Sequence, residues 1–235
     1  IQIKNLLMAV DAAVKSNLKI NDIVKNLEHI KPVNGRLEIV GKTRDNSIII
    51  LDYAHTPEAL KTCLENVKSQ FSLRKINLVF GCGGERDKEK RPIMGKIADK
   101  FCNSIYLTDD NPRSENPKKI RISIKKSIKK SKLIEIPSRK LAINRAVLNS
   151  KSDEVLIIAG KGHENTQEYN NKKKFSDKNI INKAIILKNK SLSNDWKLNI
   201  FRELIDDKKL NNLKKFKIST NSKEMNRDKI FFGIK

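Results

Sequence analysis

Ile105-Tyr106-Leu107-Thr108 is a short apolar run that leads directly into Asp109-Asp110-Asn111-Pro112-Arg113. A run of this length and character suits a strand buried on both faces of a sheet. The polar residues after it suit a ligand better than a core. Asn111 precedes a proline, which biases it to extended geometry and leaves its amide free to hydrogen-bond. The Arg113 guanidinium is a planar fork matched to a carboxylate. Without any ligand, the same residues read as a capped turn before the next helix.

Outward from this stretch the pattern repeats. Strands are expected at 37–40, 48–51, 76–80, 105–108, 133–136 and 155–159. Helices are expected at 57–70, 92–101, 117–130, 139–149 and 177–188. Short apolar strands alternating with helices predict an α/β fold: a Rossmann-like, mostly parallel sheet with helices on both faces. Upstream, Leu6, Leu7, Val10, Ala13 and Val14 share one helical face, and Ile20, Ile23, Val24 and Leu27 form a second stripe. Asn21 is the candidate cap of that second helix. Lys31-Pro32-Val33-Asn34-Gly35 has the turn chemistry of a linker. After Lys190 the alternation breaks. Residues 191–194 read as a linker, 196–204 as a short helix, and 217–220 and 229–234 as strands of a unit that stops unfinished. The first helix has no start signal, so a piece of a longer polypeptide is expected.

The chain has 235 residues and a formal net charge of +23. Such a charge by itself points to nucleic acid or an anionic surface. Here the lysines are spread along the whole chain, and aromatics make up only 5%, without interleaving in the basic runs as a stacking platform requires. The densest basic stretch, 118–132, reads as the solvated face of a helix, and no nucleic acid is expected as a partner. Cys63, Cys82 and Cys102 form no C-x-x-C pair. They read as reduced, largely buried thiols of a cytoplasmic protein. No apolar run approaches the roughly 18 residues of a membrane span, and no metal site is expected.

In open α/β sheets ligands bind at the carboxyl ends of the strands, and four such ends carry unusual loops. The first is Asp52-Tyr53-Ala54-His55-Thr56-Pro57, where an acid suits a ribose or a metal-bound water, or the whole is a helix cap with a buried His. The second runs from Gly81-Cys82-Gly83-Gly84-Glu85-Arg86 to Lys90-Arg91-Pro92. Its glycines allow close backbone approach, and its cations favour phosphate or carboxylate. It is neither a P-loop nor a dinucleotide fingerprint. The third is the Asp110 to Arg113 run. The fourth is Gly160-Lys161-Gly162-His163-Glu164, a site for an ammonium group or a tight turn with exposed charges. An Arg-bearing and a Glu-bearing loop on one sheet edge would together clamp a zwitterion such as an amino acid.

Arg36, the Asp52 to Pro57 run, the Gly81 to Pro92 loop, Asp110-Asn111-Pro112-Arg113 and Gly160-Lys161-Gly162-His163-Glu164 occur in the order seen in Mur ligases. Over residues 1–190 the chain resembles that family, most closely its meso-diaminopimelate-adding branch. The resemblance implies an ADP-forming acid–amino-acid ligase of peptidoglycan synthesis. Such an enzyme uses ATP and Mg2+ to convert a carboxylate of UDP-MurNAc-L-Ala-D-Glu into an acyl phosphate, which the amine of meso-diaminopimelate attacks. A related ligase or a folylpolyglutamate synthase adding another amino acid is the alternative.

The same resemblance implies the organisation and the roles. Residues 1–33 would end a central ATP-binding domain, and 34–190 would form the C-terminal amino-acid-binding domain. Residues 191–235, whose Ile218 to Lys223 and Lys229 to Lys235 runs resemble the opening of the D-Ala-D-Ala-adding ligase, would be a linker and the start of a second ligase. Asn5, Arg36 and Asp52 match ATP contacts. Arg86, Asn111, Arg113, Gly160 and Glu164 match the positions that hold meso-diaminopimelate, and His55, Lys90 and Asp110 are nearby candidates. The family's P-loop is missing from this stretch, so no turnover is expected of it alone, and a monomer is expected.

Overall fold

The computed structural model describes residues 2–30, 33–204, 217–219 and 229–231. Helices α1 (Gln2–Lys15) and α2 (Ile20–Leu27) come first, followed by strands β1 (Glu38–Lys42) and β2 (Ile48–Asp52). Then come α3 (Pro57–Gln70), β3 (Lys75–Phe80), α4 (Lys90–Phe101), β4 (Ser104–Leu107), α5 (Pro117–Lys125), β5 (Lys132–Glu135), α6 (Arg139–Asn149) and β6 (Glu154–Ala159). A hairpin of β7 (Thr166–Tyr169) and β8 (Asn171–Lys174) precedes the long α7 (Asp177–Leu204). Two short strands, β9 (Lys217–Ser219) and β10 (Lys229–Phe231), pair in parallel.

Six strands form the main sheet in the order β1-β2-β6-β3-β4-β5. All neighbours are parallel except β1, which runs antiparallel to β2 at the edge. From β2 to β5 the chain steps in one direction, and it then returns through α6 to insert β6 at the centre. Right-handed crossovers put a helix on opposite faces when the direction reverses. Accordingly, α3, α4 and α5 cover one face with Leu60, Leu64, Met94, Ala98, Ile120 and Ile124 against Ile50, Leu78 and Ile157. Helices α6 and α7 cover the other with Ile143, Val147, Ile181 and Ala184 against Ile49, Val79 and Ile158. Alternate residues of each strand thus feed two cores, which is why the runs are apolar throughout. The three thiols are free and buried, and burial pushes each of them up, Cys82 to about 12.

Local signals set the helix starts. Thr56 accepts from the Ala59 N–H ahead of Pro57, and Asn116 accepts from Lys118 and Lys119 ahead of Pro117. The cap expected at Asn21 is not there: the N-cap is Lys19, without a side-chain bond, and Asn21 lies inside α2. Helix α5 ends earlier than its periodicity suggests, because the Asp99 carboxylate captures the N–H groups of Lys129, Lys130 and Ser131 and turns the chain. The linker expected at 191–194 is a continuation of α7, since no Gly or Pro interrupts 177–204 and Ser and Asn cost a helix little. In place of exposed charges, the fourth loop holds a fully buried Lys161.

Two ion pairs fix the carboxyl edge of the sheet. Arg139, at the start of α6, is fully buried. Its Nε and Nη2 bind the Asp177 carboxylate at 2.9 and 2.6 Å, and Nη2 also donates to the Ala159 carbonyl at 2.9 Å. Its Nη1 faces Asp110 Oδ2 at 3.7 Å. One guanidinium therefore joins the starts of α6 and α7, the end of β6 and the loop after β4. The second pair is Arg91 with Glu115, bidentate at 2.7 and 2.8 Å, with Arg91 also donating to the Gly83 carbonyl at 3.3 Å. It ties the loop after β3 to the loop after β4. The bonds from Arg91 hold the Glu115 carboxyl down at about 2.

Removing one member of a buried pair strands the other charge, so Arg139→Met should destabilise the chain by about 3–5 kcal/mol in urea unfolding. Glu115 is depressed, so its contribution is present above the ordinary carboxyl value of 4.5 and is lost as pH falls toward about 2. Across that window Glu115→Gln should lose less stability than the native chain when both are unfolded by urea.

Candidate functional site

Three of the four loops meet where the sheet order reverses, the position expected for ligands in an open α/β sheet. Asn111 lies at their centre. Its Nδ2 donates to Glu164 Oε2 at 3.3 Å, and its Oδ1 accepts from Lys161 Nζ at 2.7 Å and from the Glu168 N–H at 3.0 Å. Lys161 Nζ also donates to the Thr166 carbonyl at 2.8 Å and to Glu164 Oε2 at 3.3 Å. The loop after β4 and the loop after β6 are thereby joined through side chains.

Arg113 sits at φ 54°, in the left-handed region. Its Nη1 donates to the Gly84 carbonyl at 2.6 Å and its Nε lies 3.4 Å from Glu168 Oε2. Gly83 separates it from Arg86: a Cβ there would sit 3.2 Å from Arg113 Nη1 and 3.8 Å from Arg86 Cγ. A Cβ on Gly84 would run into the Pro112 carbonyl, which explains the second glycine. Gly160, at φ 115°, packs against Asp110, whose Oδ2 would lie 2.8 Å from an added Cβ. Arg86, Asn111, Arg113, Gly160 and Glu164 are therefore neighbours on one edge, with Asp110 buried just behind them.

Asn5, Arg36 and Asp52 come together elsewhere. They line one cavity of about 330 Å³ with Val33, Leu37, Ala59 and Cys63. The Arg36 guanidinium lies over the Tyr53 ring, 4.6 Å from its centroid, and Tyr53 packs against His55 and His163. Asp52 accepts from the Leu37 N–H at 2.7 Å and the Ala54 N–H at 2.8 Å, so it also pins the entry to β1. His55 is exposed, with Nδ1 2.9 Å from the Tyr53 carbonyl oxygen, and Lys90 Nζ donates to the His55 carbonyl at 3.0 Å. These two hold the loop after β2 against α4 and lie apart from the hydrogen bonds around Asn111. Among the described residues no group of three or more His, Cys, Asp or Glu is arranged to hold a metal ion.

The sequence pattern conceals the β7–β8 hairpin and everything it contributes. Gln167 Nε2 donates to the Asp110 carbonyl at 2.8 Å, Arg113 N–H to the Glu168 carbonyl at 3.1 Å, and Tyr169 Oη to Asp109 Oδ2 at 2.9 Å. The hairpin thus lies along the Asp110 to Arg113 run like an added strand. Its one local signal is Asn170 at the turn, at φ 50°. Exposed Lys172, Lys173 and Lys174 mask the alternation that would announce β8.

Residues 35–162 match the family model described as "Mur ligase, glutamate ligase domain". The chain is 44% identical over 194 residues to the UDP-N-acetylmuramoyl-L-alanyl-D-glutamate--2,6-diaminopimelate ligase of Rickettsia felis, covering 81% of this chain and 36% of the relative. It is also 44% identical to the enzyme of that name from Buchnera aphidicola subsp. Baizongia pistaciae, covering 79% and 37%. A solved structure of a ligase of the same name superposes with a TM-score of 0.62 at 34% identity, over 79% of this chain and 38% of that one. The chain spans little more than a third of the length of these relatives. A six-stranded sheet of this order, its loops gathered at the carboxyl edge, and a match to the domain model across that whole region place the chain in the Mur ligase family, as its C-terminal domain.

Proposed function

We propose that this chain is the amino-acid-delivering part of an ADP-forming ligase that joins meso-diaminopimelate to UDP-MurNAc-L-Ala-D-Glu. The observation that carries the reading is Asn111 bonded to Glu164, with Arg113 and Arg86 flanking Gly83 beside them. A carboxylate-reading pair and an ammonium-reading acid on one edge suit an amino acid. Meso-diaminopimelate differs from lysine by a distal carboxylate, and a guanidinium is the group that tells the two apart. The relatives' names support the same substrate.

ATP supplies the phosphoryl group that activates the acceptor's carboxylate. Arg36 and Asn5 offer a cation and an amide to one cavity, a donor set that fits part of a nucleotide, and Asp52 would meet its ribose. Mg2+ would arrive with the phosphates. The chain's own contribution is to hold the incoming amine and bring it to the activated carboxylate, which is catalysis by positioning. Residues 1–33 would close a central ATP-binding domain. In support, α2 buries no residue, and Leu6, Val10, Leu18, Ile23, Leu27 and Ile30 line an open apolar groove between α1 and α2. The turn around Gly35, which accommodates φ 69° against the Gly162-His163 backbone, would be the hinge between 1–33 and the domain at 34–190. Residues 191–235 would lead into a second ligase, and the parallel pair of β9 and β10 would belong to its start. A cytoplasmic monomer fits this chemistry, and no described helix is long and apolar enough to cross a membrane.

The test is Arg113→Ala in the full-length ligase. A charge-assisted bond is worth about 1.5–3 kcal/mol, so kcat/KM for meso-diaminopimelate should fall by roughly 10- to 150-fold, with lysine little affected. An equal loss for both amino acids would sink the assignment.

A further inference from the structure

Lys161 is fully buried, yet the proposed reaction gives it no part. Its surroundings can be accounted for group by group. An ammonium has three N–H donors. Here they meet Asn111 Oδ1 at 2.7 Å, the Thr166 carbonyl at 2.8 Å and Glu164 Oε2 at 3.3 Å. Asn111 Oδ1 accepts two bonds, one from Lys161 and one from the Glu168 N–H at 3.0 Å. Both partners are donors, so the oxygen of the amide must be the end that meets them. The Nδ2 end then points the other way, with one hydrogen on Glu164 Oε2 at 3.3 Å and one left over.

Resting on the reading of this edge as an amino-acid site, we propose that Lys161 is its positioning residue and sets the polarity of Asn111. By occupying the carbonyl end, Lys161 makes Asn111 present only N–H to the ligand. Asn111 then reads a carboxylate of the amino acid and does not read its ammonium. Glu164 Oε2 is taken by the same network, which leaves Oε1 as the acceptor for the ammonium. Without Lys161 the Glu168 N–H alone would hold the oxygen end, and an amide turned over would set that oxygen against the ligand's carboxylate.

Substitutions at two positions in the full-length ligase test this, read by KM for each substrate. Asn111→Asp keeps an oxygen for Lys161 and the Glu168 N–H but turns the outward end into an acceptor. KM for meso-diaminopimelate should rise about tenfold or more, while KM for ATP stays within about twofold. An unchanged or lowered KM for the amino acid would mean that Asn111 offers an acceptor, and would overturn the proposal. Lys161→Met should give the same selective rise, and should add less than about twofold in an Asn111→Ala background, because the two act as one unit. A KM for ATP that rises equally, or a fully multiplicative double variant, would reduce Lys161 to a structural part and overturn its role. If the Met variant does not fold, Lys161→Gln, which removes the charge and keeps a polar group, takes its place with the same expected and overturning outcomes. A wild-type enzyme that fails to use meso-diaminopimelate overturns the underlying reading. Normal wild-type use with an unaffected Asn111→Asp variant overturns only this inference.

Discussion

The buried guanidinium of Arg139 is the constraint on which the carboxyl edge depends. It is held by the Asp177 carboxylate and the Ala159 carbonyl, and it faces Asp110 across 3.7 Å. Burying a charge is costly unless it is paired and hydrogen-bonded, and removing one partner is costlier still. The helices α6 and α7 therefore cannot drift from the end of β6 without stranding an ion. Asp110 lies in the loop that carries Asn111 and Arg113, so the same cluster that closes the second core also sets the back wall of the candidate site.

Outward from that wall the site is built by paired loops. Arg91 and Glu115 join the glycine-rich loop to the loop after β4, and Asn111, Lys161 and Glu164 join the latter to the loop after β6. The hairpin β7–β8 then covers the run by backbone and side-chain bonds. Asn111, Arg113 and Glu164 are each held by a neighbour of opposite character. Such preorganisation suits the proposed role of holding and delivering a substrate.

The division between the proposed amino-acid and nucleotide positions follows from topology. Arg36 and Asp52 belong to the β1–β2 edge, beside α1 and the turn at Gly35, and they line a separate cavity with Asn5. Asn111, Arg113 and Glu164 belong to the reversal of strand order in the middle of the sheet. One edge of one sheet thus offers two chemically distinct stations, a cationic one beside an aromatic ring and a zwitterionic one. The proposed delivery of an amine to a carboxylate activated by ATP would use both.

The sequence by itself determined the layers of this fold. Uniform apolar runs, proline-led helices at Pro57 and Pro117, and polar loops at strand ends are local signals, written in neighbouring residues and readable one stretch at a time. It also determined which residues gather, because loops at carboxyl ends of parallel strands converge wherever the order reverses. Only the tertiary structure decided how those residues face each other. Arg139, Asp177 and Asp110 are separated in sequence by tens of residues, and nothing near any of them announces the others. In sequence Lys161 is one more lysine in a chain full of them, and only the fold supplies the three acceptors that make its burial possible. The β7–β8 hairpin is hidden for the same reason: its strands are stabilised by the Asp110 to Arg113 run they lie against, and their own pattern does not reveal them.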